Sequence, residues 1–203
     1  MMLTLLHTSP VHVATFDALR DRIAPGAPLS HIVREDLLDR ARVEGVTPAI
    51  ASETTALIQA APGPVLCTCT TLGEVAEAAG ALRIDRPMMQ AAARTGGQVL
   101  LVYCLDSTAQ ASRALLEDEM AQAGNSAGIE PLSLAPAWPL FEAGDLPAFA
   151  QAVAEGIRAA ISDRTACIVL AQASMAGAAT LLEDTGLPVL ASPEIALRTA
   201  LSP

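Results

Sequence analysis

The stretch Val65-Leu66-Cys67-Thr68-Cys69-Thr70-Thr71-Leu72-Gly73 can be laid over Val169-Leu170-Ala171-Gln172-Ala173-Ser174-Met175-Ala176-Gly177. In each, an apolar run breaks into small polar residues and closes on glycine. Farther on, Arg83-Ile84-Asp85-Arg86-Pro87 falls over Val189-Leu190-Ala191-Ser192-Pro193 with a two-residue slip. Each half therefore reads as a strand, a hydroxyl-rich turn, a helix, a short strand and a helix opened by proline. Any two strand–helix units look alike at this level; the shared Gly and Pro positions are what favour a duplication.

Working outward, strands are predicted at Met2–His7, Leu29–Val33, Val65–Thr68 and Leu82–Ile84, and again at Gln98–Cys104, Ile129–Leu134, Ala166–Ala171 and Pro188–Leu190. Helices are predicted at Val11–Ile23, Arg34–Val43, Pro48–Ala61, Leu72–Gly80 and Pro87–Thr95, then at Ala109–Ala123, Leu146–Ile161, Ala176–Glu183 and Glu194–Leu201. Leu146, Phe149, Val153 and Ile157 fall on one stripe at helical spacing. Strands alternating with helices imply parallel sheets wrapped by helices. The predicted class is α/β, with two pseudo-symmetric lobes, each a mostly parallel sheet flanked by helices. The first lobe is expected to take residues 1–95 plus 192–203 and the second 96–191, with an active-site cleft between them.

Composition excludes several functions. Of 203 residues 52% are hydrophobic and 17% charged, too apolar for a disordered chain. The net charge of −10 argues against a nucleic-acid partner, which needs a basic footprint. All 12 basic residues are Arg. Without lysine there is no Schiff base to pyridoxal phosphate or to a carbonyl substrate, and no P-loop lysine. One Tyr, one Trp and three Phe make no aromatic platform for bases or sugars. The N-terminus lacks a basic segment before its short apolar run, and no apolar run nears the roughly 20 residues that span a bilayer. A soluble, cytoplasmic protein with reduced thiols and no membrane partner is expected.

In open parallel sheets, ligands bind beyond the C-terminal strand ends. Small polar residues gather there: Thr8-Ser9 after the first strand, Cys69-Thr70-Thr71, then Asp106-Ser107-Thr108, Gln172-Ala173-Ser174 and Ser192-Pro193. Thr71-x-x-Glu74 and Ser107-x-x-Gln110 fit capping boxes, and Ser192-Pro193 fits an N-cap followed by proline. Capping alone would account for each; together they also describe hydroxyl and N–H donors suited to the carboxylates of a small substrate, with no metal ligands. Cys69 precedes the capped helix, where thiol pKa values fall from about 8.5 to roughly 3.5–7.5. It reads either as a reactive thiol or as a small buried hydrophobe. Cys67, Cys104 and Cys167 read as core, and no C-x-x-C pair is present. His7, at a strand end, reads as an acid–base group or a loop hydrogen-bonder, His31 as structural, and Asp85 with Arg86 as a surface salt bridge.

The run Val65-Leu66-Cys67-Thr68-Cys69-Thr70-Thr71, together with Ile168-Val169-Leu170-Ala171-Gln172-Ala173-Ser174-Met175, the chain length and the duplication, resembles the aspartate/glutamate/hydantoin racemase superfamily. The resemblance covers nearly the whole chain. It implies two α/β lobes, cofactor-independent catalysis, and two cysteines that remove and return a proton at the carbon next to a carboxylate. Members are often dimers or higher oligomers. The first-lobe cysteine maps to Cys69, or to Thr68 in the other one-residue register. In the second lobe Gln172 or Ala173 stands where the family has its second cysteine.

The resemblance implies a racemase- or epimerase-type isomerase with Cys69 as acid–base. Ser9, Thr70 and Thr71 would hold one carboxylate, Ser107, Thr108 and Ser174 the other end of the substrate, and Gln172 would hydrogen-bond in place of the second base. A one-cysteine decarboxylase or cis–trans isomerase of a small diacid, also found in the superfamily, and a small-ligand binding protein without catalysis are the alternatives.

Overall fold

The computed structural model describes residues 2–202. The chain divides into two compact units, one running to Asp85 and resuming at Pro193, the other Arg86–Ser192. The division falls just before Arg86.

In the first unit, β1 (Leu3–His7), β2 (Leu29–Val33), β3 (Val65–Cys67) and β4 (Leu82–Arg83) form a parallel sheet in the order β2-β1-β3-β4. Every residue of β1 and β3 is buried, as both faces of a parallel sheet are covered by the helices that connect its strands. Those helices are α1 (Val11–Ile23), α2 (Glu35–Glu44), α3 (Pro48–Ala60) and α4 (Gly73–Ala78). Leu6, Leu37, Ile50, Val65 and Leu72 pack together in the core. Thr47 caps α3 by accepting from Ile50 N–H, with Pro48 opening the helix.

The second unit repeats the plan. After α5 (Arg86–Ala93), strands β5 (Gln98–Tyr103), β6 (Ile129–Ser133), β7 (Thr165–Leu170) and β8 (Val189–Ala191) order as β6-β5-β7-β8, again parallel. Helices α6 (Asp106–Gln122), α7 (Trp138–Glu142), α8 (Leu146–Ala160) and α9 (Ala178–Leu181) connect them, and α10 (Ser192–Leu201) closes the chain. The stripe on α8 buries Phe149, Val153 and Ile157, and Asp145 caps the helix through Ala148 N–H at 3.1 Å. The fold class is thus as the sequence predicts, two four-stranded parallel sheets flanked by helices.

Local expectations are corrected at four places. Trp138–Glu142 is helical where a loop is expected, entered by a 3-10 turn at Ala135–Ala137. The predicted helix at Ala176–Glu183 resolves into a 3-10 turn at Ala173–Gly177 followed by α9. The capping boxes do not form: Leu72 and Leu105 occupy the N-caps of α4 and α6, so Thr71 lies before its cap and Ser107 inside the first turn. The reading of Asp85 with Arg86 as a surface pair is also wrong. Asp85 is fully buried in a bidentate pair with Arg83, at 2.7 and 2.9 Å, while Arg86 reaches Glu119 at 2.5 Å.

No helix among the described residues is long and apolar enough to cross a membrane.

Candidate functional site

Strand pairing places the polar turns. On the first sheet Leu6 of β1 lies opposite Cys67 of β3; on the second, Val102 of β5 lies opposite Leu170 of β7. One rung on, Thr68 N–H donates to Leu6 O at 2.9 Å, and Ala171 N–H donates to Val102 O at 2.9 Å. The two ladders therefore equate Thr68 with Ala171 and Cys69 with Gln172. His7 and Tyr103 match in the same way, each accepting from the residue just past the neighbouring edge strand, Arg34 and Leu134. The repeat is real, and its register is one residue away from the overlay of Val65 on Val169.

Cys69 lies near the start of the turn between β3 and α4 and is 6% exposed. Burial pushes its thiol above the ordinary value. The Thr8 side chain opposes this most, followed by the Leu72 and Thr71 N–H groups and the Thr71 side chain, all hydrogen-bonding the sulfur. The expected low pKa at a helix start is thus not found: α4 is a six-residue helix, and desolvation outweighs its donors. Cys67, deeper in the strand, is also pushed up, again by burial first, and all four cysteines are free and buried.

Thr70 and Thr71 are buried beside Cys69, and Thr70 O accepts from Gly73 N–H at 3.0 Å. Ser9 follows Thr8 at the end of β1 and accepts at its carbonyl from His12 N–H. These residues share one sheet edge with Cys69.

In the second unit Gln172 is 7% exposed. Its Oε1 accepts from Cys104 N–H at 2.6 Å and from Leu105 N–H at 2.9 Å. Two amide donors on one oxygen settle the orientation of the carboxamide and tie the β7 turn to the start of α6. Ser107 and Thr108 stand on that first turn of α6, with Thr108 buried. Among the described residues Ser174 Oγ is buried with no hydrogen-bond partner, and so is the hydroxyl of Ser192, itself fully buried at the start of α10. A buried hydroxyl left unsatisfied costs about 1–3 kcal/mol. The sequence singles out Ser174 by position; only the structure shows that its hydroxyl has no protein partner.

His7 is enclosed. Its Nδ1 lies 2.8 Å from Thr68 Oγ1 and its Nε2 2.9 Å from His31 Nδ1. Burial first, then the neighbouring His12 and His31, lower its pKa to about 3. An imidazole neutral throughout the physiological range and hydrogen-bonded at both nitrogens is not the free acid–base group considered from sequence. Among the described residues no group of three or more His, Cys, Asp or Glu is placed to hold a metal ion.

No protein-family model matches this sequence, and no curated protein is similar to it. Solved structures are similar in fold. A glutamate racemase of Bacillus anthracis superposes with a TM-score of 0.71 at 13% identity, over 98% of this chain and 81% of that one. An allantoin racemase of Klebsiella pneumoniae gives 0.61 at 17% identity, over 98% and 86%. A Gly74Cys mutant of arylmalonate decarboxylase gives 0.57 at 14% identity, over 99% and 92%. The chain shares the α/β fold of these glutamate and allantoin racemases.

Proposed function

We propose that the protein is a cofactor-independent, racemase-type enzyme that moves a proton at the carbon next to a carboxylate of a small acid, with Cys69 as the acid–base group. The observation that carries this reading is the setting of Cys69: a buried sulfur at the C-terminal edge of a parallel sheet, hydrogen-bonded by Thr8, Thr71 and Leu72. Those donors favour the thiolate where burial opposes it. A sulfur held between the two effects can release and recover a proton as its surroundings change. In this reading Ser9, Thr70 and Thr71 hold a carboxylate beside it, and Ser107, Thr108 and Ser174 are the hydroxyls at the second unit's own strand ends. The likeness in fold to racemases supports the same reading.

Gln172 favours a second reading of the chemistry. It occupies the position equivalent to Cys69, and a carboxamide neither removes nor supplies a proton. One-sided proton transfer of this kind suits a decarboxylase or a cis–trans isomerase of a small diacid, and an arylmalonate decarboxylase is among the similar folds.

The test is NMR in D₂O with both enantiomers of aspartate, glutamate and a simple hydantoin, then with malonate- and maleate-type diacids. Exchange of the α-proton, reduced at least about 10²-fold in Cys69→Ser, is expected from a positioned acid–base residue. Exchange with inversion identifies a racemase; exchange with retention, CO₂ release or cis–trans conversion identifies the one-sided chemistry. Full exchange in Cys69→Ser would remove the thiol from the mechanism. No turnover of any of these compounds would leave a ligand-binding protein.

A further inference from the structure

The three histidines of the chain form one cluster in the first unit. The His7 ring lies edge to edge with His31, within 15° of coplanar and with centroids 5.2 Å apart, and lies 6.1 Å from His12 and 5.5 Å from Phe16. Hydrogen bonds link two of them in a line: Thr68 Oγ1 to His7 Nδ1, His7 Nε2 to His31 Nδ1, and His31 Nε2 to Asp17 Oδ1 at 3.4 Å. Thr68 Oγ1 also lies 3.1 Å from Leu6 O, to which it can donate.

Counting protons along this line leaves two arrangements. A carboxylate accepts only, so His31 Nε2 carries a proton in both. If the Thr68 hydroxyl donates to Leu6 O, it accepts from His7 Nδ1–H. His7 Nε2 is then bare and accepts from His31 Nδ1–H, so His31 holds two protons and is charged. If His31 is neutral, its Nδ1 is bare and accepts from His7 Nε2–H. His7 Nδ1 is then the acceptor, and the Thr68 hydroxyl must turn away from Leu6 O to donate to it. His7 is neutral in both arrangements, as its depressed pKa of about 3 requires. The two differ by one proton, on His31.

We infer that His7 and His31 are a proton-linked positioning pair, in which the charge on His31 sets the direction of the Thr68 hydroxyl and, through it, the hydrogen bonding of Cys69. When His31 is charged, the Thr68 hydroxyl and Thr68 N–H both donate to Leu6 O, at 3.1 and 2.9 Å. When it is neutral, only the N–H remains. Cys69 is the next residue after Thr68, and Thr8, which hydrogen-bonds the Cys69 sulfur, follows His7. The tie therefore spans the two strand ends that bring hydroxyl and sulfur together. The groups facing the pair are Asp17, its partner Arg20 at 3.3 Å, and His12, all on α1, while the thiols of Cys67 and Cys69 pack with Leu6, Leu37 and Ile50. The consequence for catalysis rests on the reading of Cys69 given above; the proton arrangement does not.

Ring ¹⁵N NMR of the intact protein tests the arrangement, and three histidines keep the spectrum assignable. The expected result is that His7 stays neutral and changes from the Nδ1–H to the Nε2–H tautomer as His31 loses its proton. A single His7 tautomer across the titration overturns the inference. Iodoacetamide alkylation of Cys69, followed by mass spectrometry from pH 5 to 9, tests the link. A thiol well below its pKa reacts about tenfold faster per pH unit. Wild-type rates should fall about threefold below that line at the His31 midpoint, the effect of weakening one hydrogen bond. His31→Asn, whose amide can donate to His7 Nε2 at every pH, should stay on the line. A straight wild-type line with a changing His7 tautomer would refute the link to Cys69. Neither measurement needs a substrate. An inactive protein with these spectra leaves the pair standing, whereas an active one without them leaves the proposed function standing.

Discussion

The hydroxyl of Thr8 is the first of the groups that resist the effect of burial on the Cys69 thiol. Thr8→Val keeps the branched shape, is compatible with the 8% exposure of the site, and removes that one donor. The thiol should then rise further from its ordinary value, and alkylation of Cys69 near pH 8 should slow about three- to tenfold, the worth of one hydrogen bond. An unchanged rate would mean that the Thr71 and Leu72 donors suffice. At this scale the sequence is informative about identity and poor about environment. Cys69, Thr70 and Thr71 can be singled out from the pattern of a strand breaking into small polar residues. One donor on the sulfur, Thr8, follows β1, 61 residues away in the chain, and no local pattern announces it. The same holds for Gln172, whose oxygen is bound by backbone groups 67 and 68 residues earlier.

At the scale of elements, the start of α4 depends on a buried ion pair beneath it. Gly73 opens the helix, and a Cβ there would lie 3.1–3.2 Å from the Arg83 guanidinium. That guanidinium is held by both oxygens of Asp85 and has little room to yield. Asp85→Ala leaves Arg83 charged and buried, so it should cost about 3–5 kcal/mol in urea unfolding and loosen the turn that carries Cys69. The exposed pair of Arg113 with Glu117 is the control, expected to cost no more than about 1 kcal/mol when broken. Element existence is largely legible in the sequence: α1 and β2 have the predicted bounds, because apolar periodicity and flanking Pro and Gly mark both ends. The missed α7 contains Pro139 as its second residue and follows the 3-10 turn that contains Pro136; both prolines stand in a first turn, where their missing N–H costs nothing. The capping boxes fail for a related reason. A Thr or Ser three residues before Glu or Gln is a local signal, whereas the helix starts at α4 and α6 are set by where the strands end.

At the scale of the molecule, the two sheets share one strand order, and the rungs at Leu6 and Val102 give their correspondence to the residue. Duplication explains why one unit carries a thiol and the other an amide at equivalent turns: each turn was free to diverge while its sheet stayed constrained by burial. The histidines add an asymmetry of a different kind, because Tyr103 stands where the first unit has His7. Folding the first unit buries His7 and His12 in neutral form, with pKa values lowered from 6.5 to about 3 and about 4, in each case by burial first. In the unfolded chain both take up protons as pH falls below 6.5. The stability they allow is therefore fully present above that value and is lost progressively toward pH 4 and 3. Each should contribute a slope of up to about 1.4 kcal/mol per pH unit, acting before most carboxylates titrate. Urea midpoints measured from pH 7 down to pH 4.5 should fall steadily. His12→Asn, if it folds, should flatten the slope by about one proton. A midpoint that stays level from pH 7 to 5 would show that these imidazoles take up protons as readily in the folded protein as in the unfolded chain.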